Sequence, residues 1–213
     1  MIALSRILPL GFLLIGVFLL MQVILPVVSF QLWWFGQKYN NNLLISPGSQ
    51  DAQVLGVSIQ TSDNFPGFVS SLKREGAISY GQFNLTIPKL NINKASVEVD
   101  SNNLSKGLVH LPGSALPGEK GNVFVSGHSA LSRLFSLKNA LFANLTDLKK
   151  GDEIIVEANG AKFKYQVTQL KVVDPADTSV IIPPDTQGRY ISLMTCVPPG
   201  LNFKRLVVLG KMI

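Results

Sequence analysis

The residue types able to do chemistry in this chain are few. There is one cysteine and there are two histidines in 213 residues. A lone cysteine forms no internal disulfide and no multi-cysteine metal site. It is either a small buried hydrophobe or a thiol kept for its reactivity, and its neighbours decide which. Cys196 ends the apolar run Ile191-Ser192-Leu193-Met194-Thr195 and is followed by Val197-Pro198-Pro199-Gly200. Strands stop at such residues, so the thiol is expected at a strand end beside a loop. Arg205 opens the next apolar run. A turn through Pro199-Gly200 would set the two runs antiparallel and bring Arg205 beside Cys196. A guanidinium stays charged at every working pH, and it can stabilise a thiolate, orient a carbonyl or hold an oxyanion. A thiol nucleophile also needs an acid/base partner. His128 follows Val125-Ser126-Gly127 at the end of another apolar run, where Gly127 allows close approach or an unusual dihedral. His110 lies in Leu108-Val109-His110-Leu111-Pro112-Gly113. On residue types alone both histidines are candidates, with His128 ahead.

The elements that must position these groups read as strands. Phe83, Leu85 and Ile87 alternate with polar residues, as do Ala95, Val97 and Val99. Period-two alternation marks a half-buried strand. Val123–Val125, Ile154–Val156, Phe163–Val173, Tyr190–Thr195 and Leu206–Leu209 supply further strands, and Asn159-Gly160 is a hairpin signal between two of them. Seven or eight short strands with regular turns suggest a closed barrel. The one good helical stretch in this part is 130–148. The Pro-rich segment 174–185 is a long loop leading into the strand that ends at Cys196, placed to wall a substrate groove.

The N-terminal part differs. No charged residue occurs between Arg6 and Lys38, and most of the run is Leu, Ile, Val, Phe and Met. A bilayer core needs about 20 apolar residues in a helix. Trp33 and Trp34 stand where such a span would meet the headgroups. A signal peptide is the competing reading. Its apolar region runs to about 7–15 residues and ends in a small-residue cleavage site, whereas this run is longer and no A-x-A-like site follows. The reading is an uncleaved anchor over 7–35 after a short tail at 1–6. Residues 36–80 read as a linker rich in Asn, Ser, Pro and Gly, with one short helix near Phe68–Arg74, and 81–213 as the folded domain. All but one of the 19 Lys and Arg lie beyond the apolar run, with all 13 Asp and Glu. The basic excess suits anionic lipid or cell-wall polymer. Without a basic run, a zinc-knuckle spacing or an Arg-rich helix, nucleic acid is not expected as a partner.

Several segments together resemble the sortase family. Thr195-Cys196, Pro198, Gly200 and Arg205-Leu206-Val207-Val208 resemble its Cys and Arg signature. Asn122-Val123-Phe124-Val125-Ser126-Gly127-His128 resembles its strand-then-His signature, and Pro112–Glu119 the segment before it, with Ser114 where many relatives carry Thr. Leu85–Leu90 resembles the opening strand of its barrel, and the segment from Leu148 through Gly151-Asp152 is also similar. The likeness covers about residues 83–211.

It implies a mainly β fold: an eight-stranded sortase β-barrel with short helices, preceded by one transmembrane helix. It implies a membrane-anchored cysteine transpeptidase whose catalytic domain faces outward. Cys196 would be the nucleophile, His128 the acid/base and Arg205 the third catalytic residue, with Thr195 supporting substrate or oxyanion. His110 would match a non-catalytic position. The substrate would be a surface protein bearing an LPxTG-like sorting signal, and the acceptor an amine on a cell-wall precursor or pilin lysine. No cofactor is expected, and no acidic cluster compels a calcium site. The segment before His128 and the short Cys-to-Arg spacing resemble classes with variant sorting signals, of the D or E kind. Two other classes fit the residues less well. A barrel that only binds peptides fits poorly with an intact Cys, His and Arg set. An L,D-transpeptidase would hold its His and Cys much closer in sequence.

Overall fold

The computed structural model describes residues 2–39, 43–45, 57–62, 65–70, 80–129 and 140–213. Helix α1 (Ile2–Tyr39) is the charge-poor N-terminal run. Its stretch Gly11–Gly36 is long and apolar enough to cross a membrane, and none of its most apolar window is buried against the rest of the chain. Near its C-terminal end Phe30 stacks on Trp33 at 5.7 Å and meets Trp34 edge-on.

Three short strands follow: β1 (Leu43–Ile45), β2 (Val57–Ser62) and β3 (Phe65–Ser70). Strands β2 and β3 pair as an antiparallel hairpin. Part of the expected linker is therefore β structure, and Phe68–Ser70 are strand rather than helix. The remainder of that expected helix, 71–74, lies outside the described residues.

Eight strands then build the barrel. They are β4 (Gln82–Ile87), β5 (Ile92–Glu98), β6 (Leu108–His110), β7 (Gly121–Ser126), β8 (Glu153–Ala158), β9 (Ala161–Val173), β10 (Arg189–Val197) and β11 (Lys204–Met212). Their order is β9-β11-β10-β7-β6-β5-β4-β8, and β8 pairs with β9 to close the ring. Closure leaves no free edge around the eight. Strand β9 outruns β8, and β1 pairs with its second half in parallel, Leu43 beside Leu170 through Ile45 beside Val172. The turn from β8 to β9 is Asn159-Gly160 with both φ values positive, 47° and 77°, the geometry that the right-handed strand twist favours in a two-residue hairpin.

Alternation assigns the faces. Val123, Val125, Ile191, Leu193, Leu206 and Val208 point into the main core. Phe124, Met194, Val207 and Val173 point outward and still are buried, because Leu111, Phe68 of β3 and the turn carrying Val180 and Ile181 cover them. Strand β10 is thus buried on both faces, which explains why its sequence reads as an unbroken apolar run rather than an alternating one.

The expected helix over 130–148 is not present where it can be followed. Residues 140–148 form turns and a 3-10 turn at Leu145–Asp147, while 130–139 lie outside the described residues. Phe142, Leu145 and Leu148 are fully buried on the barrel core. Their spacing, which suggests a helix face, is satisfied by tight turns that plug the barrel.

Candidate active site

Strands β10 and β11 pair antiparallel with Cys196 directly opposite Arg205. Paired residues share a face. Cys196 has the parity of Met194, and Arg205 that of Val207, so both lie on the covered outer face rather than in the barrel interior. Strand β7 runs parallel on the other side of β10, its last paired residue Ser126 level with Met194. The Gly127 amide still donates to the Met194 carbonyl at 3.1 Å. His128 therefore leaves β7 at the level where β10 reaches Cys196. The fold brings Cys196, His128 and Arg205 to one end of three adjacent strands, and one crossover, from β7 through β8 and β9 to β10, is needed to do it.

Several polar ties fix this end. The Thr195 hydroxyl donates to the Gly127 carbonyl at 2.9 Å. Thr195 pairs with the core residue Leu206, so its side chain lies on the face opposite Cys196 and ties β10 to the backbone that carries His128. The Gly200 amide donates to the Ser129 hydroxyl at 3.2 Å, joining the loop after Cys196 to the residue after His128. The Phe142 amide donates to the His128 carbonyl at 3.2 Å. Ser129 is the contact the sequence signals least: nothing beyond its place next to His128 marks it.

Gly127 is required for room, not for an unusual dihedral. A Cβ there would lie 2.5 Å from Leu108 and 2.6 Å from Phe142. Gly127→Ala must push one of these buried side chains aside and shift His128 with it. A displacement of about 1 Å in a reacting group costs about 10²-fold in rate. Turnover by this variant is expected to fall by that order, with the melting temperature reporting the packing cost separately.

Arg205 is fully buried. Its Nη1 donates to the carbonyls of Asn202 and Lys204, both at 3.1 Å, so its own loop holds the guanidinium in place. Burial lowers its pKa, and the neighbouring Cys196 raises it. It remains a cation at neutral pH. For Cys196, burial pushes the thiol up to about 11, with Arg205 pulling it down. The resting group near pH 7 is therefore the thiol. Just outside, Lys204 pairs with Asp174 at the start of the 174–188 loop.

His110 goes elsewhere. It is fully buried and lies edge-on to the core residue Phe83 with ring centroids 6.1 Å apart. Its Nδ1 is 3.1 Å from the Asp100 carboxylate, and its Nε2 is 2.8 Å from the Ser114 hydroxyl and 2.9 Å from the Ala115 carbonyl. Ser114 in turn donates to the Leu111 carbonyl at 2.8 Å. This array braces the turn between β6 and β7 at the barrel end away from Cys196. His110→Ala should lower stability by about 2–4 kcal/mol, through the void and the unpaired polar groups it leaves. The chemistry at Cys196, measured by alkylation rate below the melting transition, should change little.

Among the described residues no group of three or more His, Cys, Asp and Glu is placed to hold a metal ion.

The comparisons with known proteins match this fold. The Sortase domain profile matches residues 85–213. The chain is 33% identical to Sortase D of Bacillus subtilis (strain 168) over 131 residues, 60% of this chain and 61% of that protein. It is 34% identical to Sortase A of Bacillus anthracis over 139 residues, 65% of this chain and 59% of that one. The chain thus spans about three fifths of the length of these curated relatives. Among solved structures, the pilus-related Sortase C of Group B Streptococcus superposes with a TM-score of 0.56 at 33% identity, covering 64% of this chain and 69% of that one. The profile match takes in more than half of the chain and every strand that frames Cys196 and Arg205, so this chain belongs to the sortase family.

Proposed function

We propose that this protein is a membrane-anchored sortase that cleaves an LPxTG-like sorting signal and joins the released acyl group to an amine. The observation that carries this reading is the register of three strands: Cys196 opposite Arg205, with His128 leaving the neighbouring strand at the same level.

The Cys196 thiol gives its proton to His128 as the substrate carbonyl arrives, and the sulfur attacks the carbonyl carbon of the Thr–Gly bond. Charge moves to the carbonyl oxygen, and the Arg205 guanidinium holds it. The C–N bond then breaks, and His128 returns the proton to the leaving amine. A thioester on Cys196 remains. An incoming amine adds to the same carbon, His128 takes its proton, and the C–S bond breaks to regenerate the thiol. Thr195 contributes by fixing the Gly127 carbonyl and so the backbone that presents His128. Water in place of the amine gives hydrolysis. Burial disfavours the Cys196 thiolate before substrate arrives.

Substrate side chains would lie at the Cys196 end of the outer face, against the 174–188 loop that covers its apolar strip. Helix α1 would be the anchor, residues 36–80 the tether, and the barrel an extracytoplasmic domain reached by surface proteins and by a cell-wall precursor or pilin lysine. No nucleic acid or cofactor enters this reading.

The test uses the full chain in detergent, a set of LPxTG-like peptides and an amine acceptor, with mass spectrometry as readout. A thioester adduct on Cys196 that resolves onto the amine is the expected result. An intact enzyme mass across the whole set, with peptide binding retained, would replace this reading by a barrel that only binds.

A further inference from the structure

The 174–188 loop crosses the outer face of β10 and β7, and a buried side chain outside the catalytic set holds it there. Asn122, the second residue of β7, is 4% exposed. Its amide nitrogen donates to the Ile181 carbonyl at 3.0 Å and reaches the Val180 carbonyl at 3.4 Å. Those residues end a 3-10 turn, Thr178–Ile181, which Asp177 caps through the Ser179 amide at 3.1 Å. The side chains of Val180 and Ile181 pack on the outer apolar strip that contains Phe124 and Met194, and Met194 lies two residues before Cys196.

A buried amide is costly unless its groups are bonded. Among the described residues the buried Asn122 Oδ1 has no hydrogen-bond partner. A residue needed only to complete the strand would be better served by an apolar side chain at this covered position. An asparagine here pays its way only through the two carbonyls it holds.

We infer that Asn122 is a positioning residue for substrate selection: by fixing the Val180 and Ile181 carbonyls it sets the apolar wall that reads the substrate side chain nearest the strip. This rests on the sortase reading above for the substrate class, and deepens it by naming what fixes the wall. Asn122 touches neither the thiol nor the reacting carbonyl. Its loss therefore affects how well a substrate side chain is held and how strictly it is chosen, and leaves the chemical step alone.

The experiment compares Asn122→Ala and Asn122→Asp with the wild type, each as the full chain in detergent. Asn122→Asp keeps the size and removes the donor, so it carries the test should the alanine variant not fold. Peptide pairs differing only in Leu or Ala at the apolar position of the motif are assayed. Losing the bonds to two partly buried carbonyls is worth about tenfold in binding. KM for the Leu peptide should rise about tenfold with kcat nearly unchanged, and the preference for Leu over Ala should shrink by a similar factor. Amide hydrogen exchange at 178–182 should quicken, while the rate of Cys196 alkylation by iodoacetamide stays as in the wild type. An equal fall in kcat/KM for both peptides, or unchanged exchange at 178–182, would overturn the assignment. The exchange and alkylation arms need no turnover. If no peptide reacts even with the wild type, the sortase reading fails, and the exchange arm still decides whether Asn122 holds the loop.

Discussion

Cys196→Ala is expected to abolish both the thioester adduct and amine ligation, a loss of at least about 10⁴-fold, with the barrel intact. The thiol lies on the covered outer face, so removing one sulfur atom leaves the main core untouched and should move the melting temperature by only a few degrees. Residual turnover near the wild-type rate would remove Cys196 as nucleophile. The same group gives a pH signature. Its folded pKa of about 11 stands above the ordinary 9.0 because burial opposes the thiolate. As pH rises past 9 the unfolded chain gives up this proton first. The stabilisation tied to Cys196 is therefore complete below pH 9 and is lost between about 9 and 11. Unfolding midpoints over that window should fall more steeply for the wild type than for Cys196→Ala. Alkylation of the folded protein by iodoacetamide should keep rising towards pH 11, where a free thiol would already have levelled off. A plateau near pH 7 would mean the resting group is a thiolate.

Arg205→Lys is expected to lower kcat about 10²–10³-fold, the usual effect of losing one donor to a developing oxyanion. Lysine keeps the charge but not the planar fork that bonds the Asn202 and Lys204 carbonyls while facing the thiol. Arg205→Ala should cost as much in rate and more in stability, since it leaves a void and two loop carbonyls unbonded. The two variants separate charge from geometry through the thiol. Arg205 holds the Cys196 pKa below where burial alone would set it, so alkylation at pH 8 should slow in Arg205→Ala and less so in Arg205→Lys. Faster alkylation in the alanine variant would contradict the pairing of these residues. Full kcat in the lysine variant would show that a point charge suffices.

What the sequence determined by itself is local. The alternation of Phe83, Leu85 and Ile87 and the Asn159-Gly160 turn depend on side-chain period and backbone preference, and both appear in the structure as read. The runs ending at Cys196 and beginning at Arg205 likewise form a hairpin, because a turn of Pro and Gly residues leaves them little choice. The apolar N-terminal run needs nothing but its composition to be a helix long enough to cross a membrane. Residue types and spacing leave both histidines as candidates, and the family likeness favours His128; in the structure His110 is bonded to Asp100, Ser114 and Ala115 inside the barrel.

The tertiary structure alone decided the rest. Strand β6 is three residues long, too short for any period to register, and is held by β5 and β7. Phe142, Leu145 and Leu148 have helical spacing but lie in turns, because the barrel mouth they fill rewards burial at those positions and not a particular backbone. Phe68 sits in a strand because the outer face of β7, β10 and β11 offers its ring an apolar strip, against Phe124 at 5.9 Å. Which face of β10 carries Cys196, and that Thr195 turns the other way to hold Gly127, follow from the register between strands 68 residues apart in sequence. Register across such distances is set by the sum of many side-chain contacts, and no single segment of the chain contains it.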